Sequence, residues 1–146
     1  MHVSNLFAML DVSVFTMRLA TVTIIAAVAQ WLAGALWYGV IFKKSWRNLV
    51  GFSDGEKPKN RIFAMIAAFV ACLLLSYVLA QAMSLVGPKD FINGSKFAIF
   101  CWLGFMAPLL VAQHVFENRR ANLLAINACY WLLAMGLAGG LVGAFH

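Results

Sequence analysis

The chain has 146 residues, of which 64% are hydrophobic and 11% are charged, with a mean hydropathy of +0.87 and a formal net charge of +6. Soluble domains average about 45–50% apolar and about 25% charged residues, so this composition excludes a water-soluble globular domain. Because the charges are concentrated in short stretches between long uncharged ones, the sequence predicts an integral membrane protein.

The N-terminal stretch before the first apolar run has the pattern of a surface helix. Residues 4–17, SNLFAMLDVSVFTM, place Phe7, Leu10 and Val14 at helical spacing after a Ser-Asn pair that is a candidate cap. This pattern is typical of a short N-terminal interfacial helix, or of an outward extension of the first span. We expect the interfacial helix.

Four uncharged runs predict four transmembrane helices, at about 19–42, 62–86, 97–116 and 121–145. Each has the roughly 20 residues that a helix needs to cross a hydrocarbon core of roughly 30 Å. Because backbone groups in lipid must be satisfied within the segment, continuous apolar runs favour helices over strands. The sequence therefore predicts an all-α integral membrane protein, a four-transmembrane-helix bundle forming a single membrane domain over residues 1–146.

Two of the predicted helices carry polar and aromatic side chains far from their ends. Gln30 lies near the middle of the first run and shares a helical face with Trp37, while Asn127 shares a face with Tyr130 in the fourth. These faces should converge in the bundle, giving a candidate interior polar cluster of Gln30, Trp37, Asn127, Tyr130 and His114. Hydrogen bonding between helices is the favoured interpretation, and a small pocket open to the cytoplasm is the alternative.

The third run contains a proline and a histidine with separate consequences. Pro108 removes the helical bond to the carbonyl of Gly104 and predicts a kink in the third helix. His114 lies about 7.5 Å inside Arg119 by the helical rise. We expect it to reach interfacial water and to pair with the carboxylate of Glu117, three residues on, with a ligand-binding or proton-relay role as the alternative.

Glycines recur at helical spacing in the last run, MGLAGGLVGAFH. Gly136, Gly139, Gly140 and Gly143 include two G-x-x-x-G pairs, which let helices approach closely in lipid, and form a candidate helix–helix interface. On a helical wheel Gly136, Gly140 and Gly143 lie about 160° to 220° from Asn127. If that amide points into the bundle, the glycine face points outward, and we expect it to contact another subunit or a partner helix.

The basic residues predict the orientation of the chain. Eight of the eleven lie in the loops at 43–61 and 117–120, and three, Arg18, Lys89 and Lys96, lie on the other side. The positive-inside rule places the basic loop 43–61 in the cytoplasm and both termini on the non-cytoplasmic side. Contact of this loop with anionic lipid headgroups accounts for the net charge, so nucleic acid is not an expected partner.

Signatures of catalysis, cofactors and metals are missing from the sequence. There is no G-x-S-x-G, H-E-x-x-H or glycine-rich phosphate loop, and Cys72, Cys101 and Cys129 have no metal-binding spacing. No catalytic residue, cofactor or metal site is predicted, and an intramembrane enzyme ranks behind binding and transport roles.

Three stretches carry a family resemblance: ALWYGVIFKKSW at 35–46, LGFMAPLLVAQHVFE at 103–117 and LLAINACYWLL at 123–133. In order and spacing they resemble the bacterial membrane family described as domain of unknown function 1761. The resemblance implies a multi-pass protein of the bacterial inner membrane and brings no activity or catalytic residues. The expected function is an assembly, accessory or self-associating membrane component, either a homo-oligomer or a subunit of a larger complex. The alternative is a small transporter or channel for a neutral or lipid-like substrate.

Overall fold

The computed structural model describes residues 17–53, 56 and 60–145. The predicted interfacial helix at 4–17 therefore lies, apart from Met17, outside the described residues. The described chain forms six α-helices: α1 (Met17–Leu36), α2 (Lys43–Val50), α3 (Arg61–Val86), α4 (Phe91–Cys101), α5 (Ala107–Phe116) and α6 (Ala121–Phe145). Two segments are π-helical: Trp37–Ile41 extends α1, and Trp102–Met106 joins α4 and α5 into one continuous helix.

Four continuous helices are long and apolar enough to cross a membrane: Arg18–Ile41, Arg61–Val86, Phe91–Phe116 and Ala121–Phe145. The prediction of an all-helical chain with four such helices is confirmed. The fourth has the predicted bounds, the first differs from prediction by one residue at each end, and the second differs by one residue at its start.

The third helix begins at Phe91, six residues before the uncharged run from which it was predicted. Asp90 sets this start, because its carboxylate accepts a hydrogen bond of 2.8 Å from the backbone N–H of Asn93 and so caps the helix. Lys96, expected in the loop, therefore lies on α4 with its side chain exposed. A long basic side chain near a helix end can extend toward the headgroups, so its charge does not prevent the helix from starting earlier.

The helices pack in the order α3, α1, α6, α4, so that α1 and α6 occupy the middle of the bundle. We call the end that carries residues 43–61 and 117–120 the basic end. The main apolar core lies toward the opposite end, where Leu19, Met83, Ala98 and Val142 are buried together. There the side chain of Arg18 also donates a 2.9 Å hydrogen bond to the carbonyl of Phe145, which joins the start of α1 to the end of α6.

The glycine face of α6 packs against α4 of the same chain, so the expectation that it points outward is wrong. Gly139, Gly140 and Gly143 are buried, and a Cβ at Gly143 would lie 2.5 Å from the carbonyl oxygen of Asp90. A Cβ at Gly140 would lie 2.5 Å from the ring of Phe91. Because α6 is a central helix, which packs against α1 on one side and α4 on the other, its glycine face is covered within the chain.

A π-helical segment, Trp102–Met106, precedes Pro108, the residue at which a kink was predicted. The N–H of Ala107 donates to the carbonyl of Trp102, five residues back, and Pro108 then stands in the first turn of α5, where no N–H is needed. Beyond this segment the helix packs less closely on α6, and His114 is the one buried residue of α5.

Candidate functional site

A cleft of about 370 Å³ opens at the basic end between α1, α2, α5 and α6. It forms where α5 leaves the close packing that α4 makes with α6. Its lining combines aromatic, polar and charged side chains: Tyr38, Trp46, Leu110, Gln113, His114, Glu117, Arg119, Leu123, Asn127 and Trp131.

The first π-helical segment places Tyr38 in the wall of the cleft. Its hydroxyl donates a 3.0 Å hydrogen bond to Oδ1 of Asn127 on α6. Its ring packs edge-on against Trp46 of α2, with the ring centroids 5.5 Å apart, and against Tyr130 at 5.0 Å. Tyr38 therefore joins α1, α2 and α6 and fixes the orientation of the Asn127 amide.

His114 forms part of the opposite wall and differs from its expected environment. The side chain is only 7% exposed, and Nδ1 lies 2.9 Å from the carbonyl oxygen of Leu110. Because a carbonyl only accepts, Nδ1 must carry the proton, which in the neutral ring leaves Nε2 as an acceptor. Among the described residues, no group bonds to this buried Nε2.

The expected pairing of His114 with Glu117 is not formed, because Glu117 has other partners. Its Oε1 accepts a 2.9 Å hydrogen bond from Nε2 of Gln113, and its Oε2 accepts from Nε of Arg119. These two bonds hold the pKa of the exposed Glu117 carboxyl below its usual range, and the bond from Gln113 has the larger effect. The mouth of the cleft thus carries one carboxylate and one guanidinium side by side.

The predicted polar cluster is only partly assembled around the cleft. Asn127 and His114 line it, and Tyr130 lies directly behind Tyr38. Trp37 points elsewhere and donates a 3.2 Å hydrogen bond from its indole to the carbonyl of Ile126. Gln30 lies deeper in the bundle, fully buried, and does not line the cleft.

Gln30 belongs to a second polar group near the middle of the bundle. Its amide Nε2 donates a 2.7 Å hydrogen bond to the hydroxyl of Ser76 on α3, and its backbone carbonyl accepts a 3.2 Å bond from Tyr130. Within the described part of the chain, Oε1 of Gln30 and Oγ1 of Thr23 have no partner. These contacts agree with the favoured interpretation of midspan polar residues as bonds between helices.

Sequence reasoning missed several residues of the cleft. Tyr38 and Trp46 are adjacent to the loop and resembled ordinary interfacial aromatic residues. Nothing in the local sequence singles out Trp131, Gln113 or Arg119 as residues of a site. The one available signal was the density of aromatic and polar residues at 37–46 and 113–131, which face each other only in the folded bundle.

A known protein family matches most of the chain. The family described as "Protein of unknown function (DUF1761)" matches residues 21–143, which confirms the resemblance drawn from the three stretches. No curated protein and no solved structure matches the chain.

Proposed function

Because the chain belongs to the family of unknown function 1761, whose description assigns no activity, we propose a function from the cleft: binding of a small amphiphilic ligand at the membrane interface. The four apolar helices would hold the chain in a bilayer, with the cleft at headgroup level on the cytoplasmic side. In this proposal the chain is a membrane-embedded binding protein.

The observation that carries the proposal is the buried Nε2 of His114 in the cleft wall. A buried polar atom without a hydrogen bond costs roughly 1–3 kcal/mol, so such atoms are rare unless something else binds them. A ligand donor would satisfy this one. The apolar side chains of Leu110 and Leu123 in the same wall would contact the ligand's apolar part.

The test is whether the purified protein retains a small molecule in the cleft. Gln113→Trp should block the cleft, because Gln113 lines it and is exposed. Leu109→Trp is the control, because Leu109 is 70% exposed and lies outside the cleft. Solvent extracts of both variants and the native protein would be analysed by mass spectrometry. A compound retained by the native protein and Leu109→Trp but lost from Gln113→Trp supports the proposal, and identical extracts from all three contradict it.

Transport of a neutral or lipid-like substrate is a second candidate, favoured by the polar groups behind the cleft. The ring of Tyr130 contacts that of Tyr38, and its hydroxyl donates a hydrogen bond to the backbone carbonyl of Gln30. The buried side-chain oxygens of Gln30 and Thr23 lie further toward the opposite end. A substrate bound in the cleft would have polar contacts along this route. Saturable uptake into proteoliposomes that Gln30→Leu abolishes is the expected result, and flux equal to that of empty liposomes would exclude it.

Assembly with a second copy or a partner also stays a proposal, with a different surface from the one expected. With the glycines of α6 covered, the exposed apolar side chains of the third membrane-length helix, such as Phe100, Phe105 and Leu109, offer an alternative face. Mass measurement in mild detergent tests it: a dimer or larger assembly that Phe105→Arg dissociates is expected, whereas a native protein of monomer mass would contradict self-association.

A further inference from the structure

The cleft offers hydrogen-bond donors and acceptors at different places. Oδ1 of Asn127 accepts from Tyr38, so the orientation of the amide leaves its NH₂ group to donate toward a ligand. Arg119 bonds to Glu117 through Nε, and no described residue accepts a hydrogen bond from its two terminal nitrogens. Donors therefore stand on the side of α6 and of the loop before it.

The acceptor side lies on α5 and the residues after it. Nε2 of His114 is buried, has no described partner and is an acceptor in the neutral ring. The carboxylate of Glu117 stands one turn away at the mouth of the cleft. A ligand in the cleft would thus meet acceptors at His114 and Glu117 and donors at Asn127 and Arg119, with Glu117 and Arg119 adjacent at the mouth.

Three aromatic rings line the same cleft, those of Tyr38, Trp46 and Trp131. An ammonium group over such faces is attracted by the ring quadrupole, most strongly by Trp. The same rings contact apolar or weakly polar parts of a ligand, so they do not by themselves choose its charge. The charged residues at the mouth supply that choice.

The paired charges at the mouth disfavour a ligand that carries only a positive or only a negative charge. A simple cation would be attracted by Glu117 and repelled by Arg119, and a simple anion would meet the reverse. A molecule with both charges a few bonds apart would be attracted by both residues. The cleft is thus complementary to a zwitterion. At the headgroup level that the proposed function gives the cleft, the zwitterion at hand is a phospholipid headgroup, and the acceptor at His114 requires that its ammonium carry N–H donors.

We propose that the cleft binds a phosphoethanolamine group, with the phosphate at Arg119 and the Asn127 amide and the ammonium at His114 Nε2 and Glu117. This inference deepens the proposed function and rests on it. The group occurs both free and as the headgroup of phosphatidylethanolamine, and both sources share the chemistry that the cleft recognises.

The test is native mass spectrometry of the full chain in delipidated detergent micelles. The probes are phosphatidylethanolamine, phosphatidylglycerol, which lacks the ammonium, and soluble phosphoethanolamine. His114→Phe keeps a ring in the wall and removes the acceptor. Arg119→Gln removes the phosphate contact, and because this side chain is 46% exposed the change should not disturb folding. Arg120→Gln is the control, because it removes the charge of a neighbouring residue that does not line the cleft.

The native protein should bind phosphatidylethanolamine about tenfold or more tightly than phosphatidylglycerol, since a hydrogen bond to a charged group is at stake. His114→Phe should abolish this preference, Arg119→Gln should weaken binding of both lipids about tenfold, and Arg120→Gln should stay within about twofold of native. Displacement of the lipid by phosphoethanolamine identifies the free compound as a ligand. Failure of displacement identifies the lipid.

Equal binding of the two lipids by the native protein, or equal effects of Arg119→Gln and Arg120→Gln, would overturn the inference. If phosphatidylglycerol or another amphiphile is bound and Gln113→Trp removes it, this headgroup assignment fails while the proposed function stands. If Gln113→Trp changes the binding of no compound, both fail.

Discussion

Gln30 and Ser76 show how single polar residues hold this bundle together. Both are fully buried, and the 2.7 Å bond between them connects α1 to α3 near the middle of the chain's apolar length. In lipid a polar side chain finds no water, so it must bond inside the protein or stay unsatisfied. This bond is therefore a buried polar contact between α1 and α3, which also share an exposed 3.1 Å hydrogen bond from the indole of Trp31 to the carbonyl of Met65.

A double-mutant cycle measures that bond. Gln30→Leu and Ser76→Ala should each destabilise the protein, and their coupling free energy should be about 0.6–1.7 kcal/mol, the average and upper values for hydrogen bonds between membrane helices. Unfolding in mixed detergent micelles gives the free energies. Gln30→Leu combined with Ser84→Ala serves as the control, because Ser84 lies eight residues, or about 12 Å along α3, from Ser76. Coupling there as large as in the first cycle would contradict the assignment.

Close approach of α4 and α6 is the tightest contact between elements, and it depends on glycine. Gly143→Ala should destabilise by about 1–3 kcal/mol, because its Cβ would lie 2.5 Å from the backbone carbonyl oxygen of Asp90, which cannot move without α4. Gly104→Ala is the matched control, since nothing lies within 4 Å of its Cβ. Thermal unfolding in detergent compares them, and equal stability of the two variants would contradict the packing.

The start of α4 should make stability depend on pH. Hydrogen bonds from the backbone and side chain of Asn93 lower the pKa of the Asp90 carboxyl below its usual range of about 3.9. Because the pKa is lower in the folded than in the unfolded state, the stability contributed by the ionised Asp90 carboxylate is fully present above the unfolded pKa. It is lost as the pH falls through the folded pKa. The effect is small, because the carboxylate is exposed and solvent screens it.

Asp90→Asn tests this dependence, because asparagine also caps helices but does not titrate. The native melting temperature should fall between pH 6 and pH 3 by more than that of Asp90→Asn, with the difference developing below about pH 4. Circular dichroism follows both. Parallel pH profiles of the two proteins would show that the cap carries no charge-dependent stability.

The molecule as a whole should insert with both termini away from the cytoplasm. The start of α1 and the end of α6 lie together, joined by the bond from Arg18 to Phe145, so the termini of the described bundle share one end. Eight basic residues at the other end against three should place that end in the cytoplasm. Alkaline phosphatase fused after His146 should be active and a fluorescent protein that matures only in the cytoplasm should be dark. The reverse pattern would invert the topology.

Apolar run length by itself determined most of the fold. The four helices follow from it because crossing hydrocarbon requires about 20 apolar residues and internal backbone bonds, neither of which depends on neighbours. The family could also be assigned from local motifs, since WYG, HVFE and INACYW are contiguous in the chain. The start of α4 was missed because a charge at Lys96 ends an uncharged run but does not end a helix.

The packing order of the helices decided everything that the sequence left open. A helical wheel gives the angle between Asn127 and the glycines, but it does not show that α6 is central and has both faces covered. The expectation of an outward glycine face was wrong for this reason. The burial of His114 likewise depends on α6, since its depth along α5 says nothing about what covers it. The cleft itself is a tertiary feature, because its walls come from four helices that only their mutual packing brings to one place.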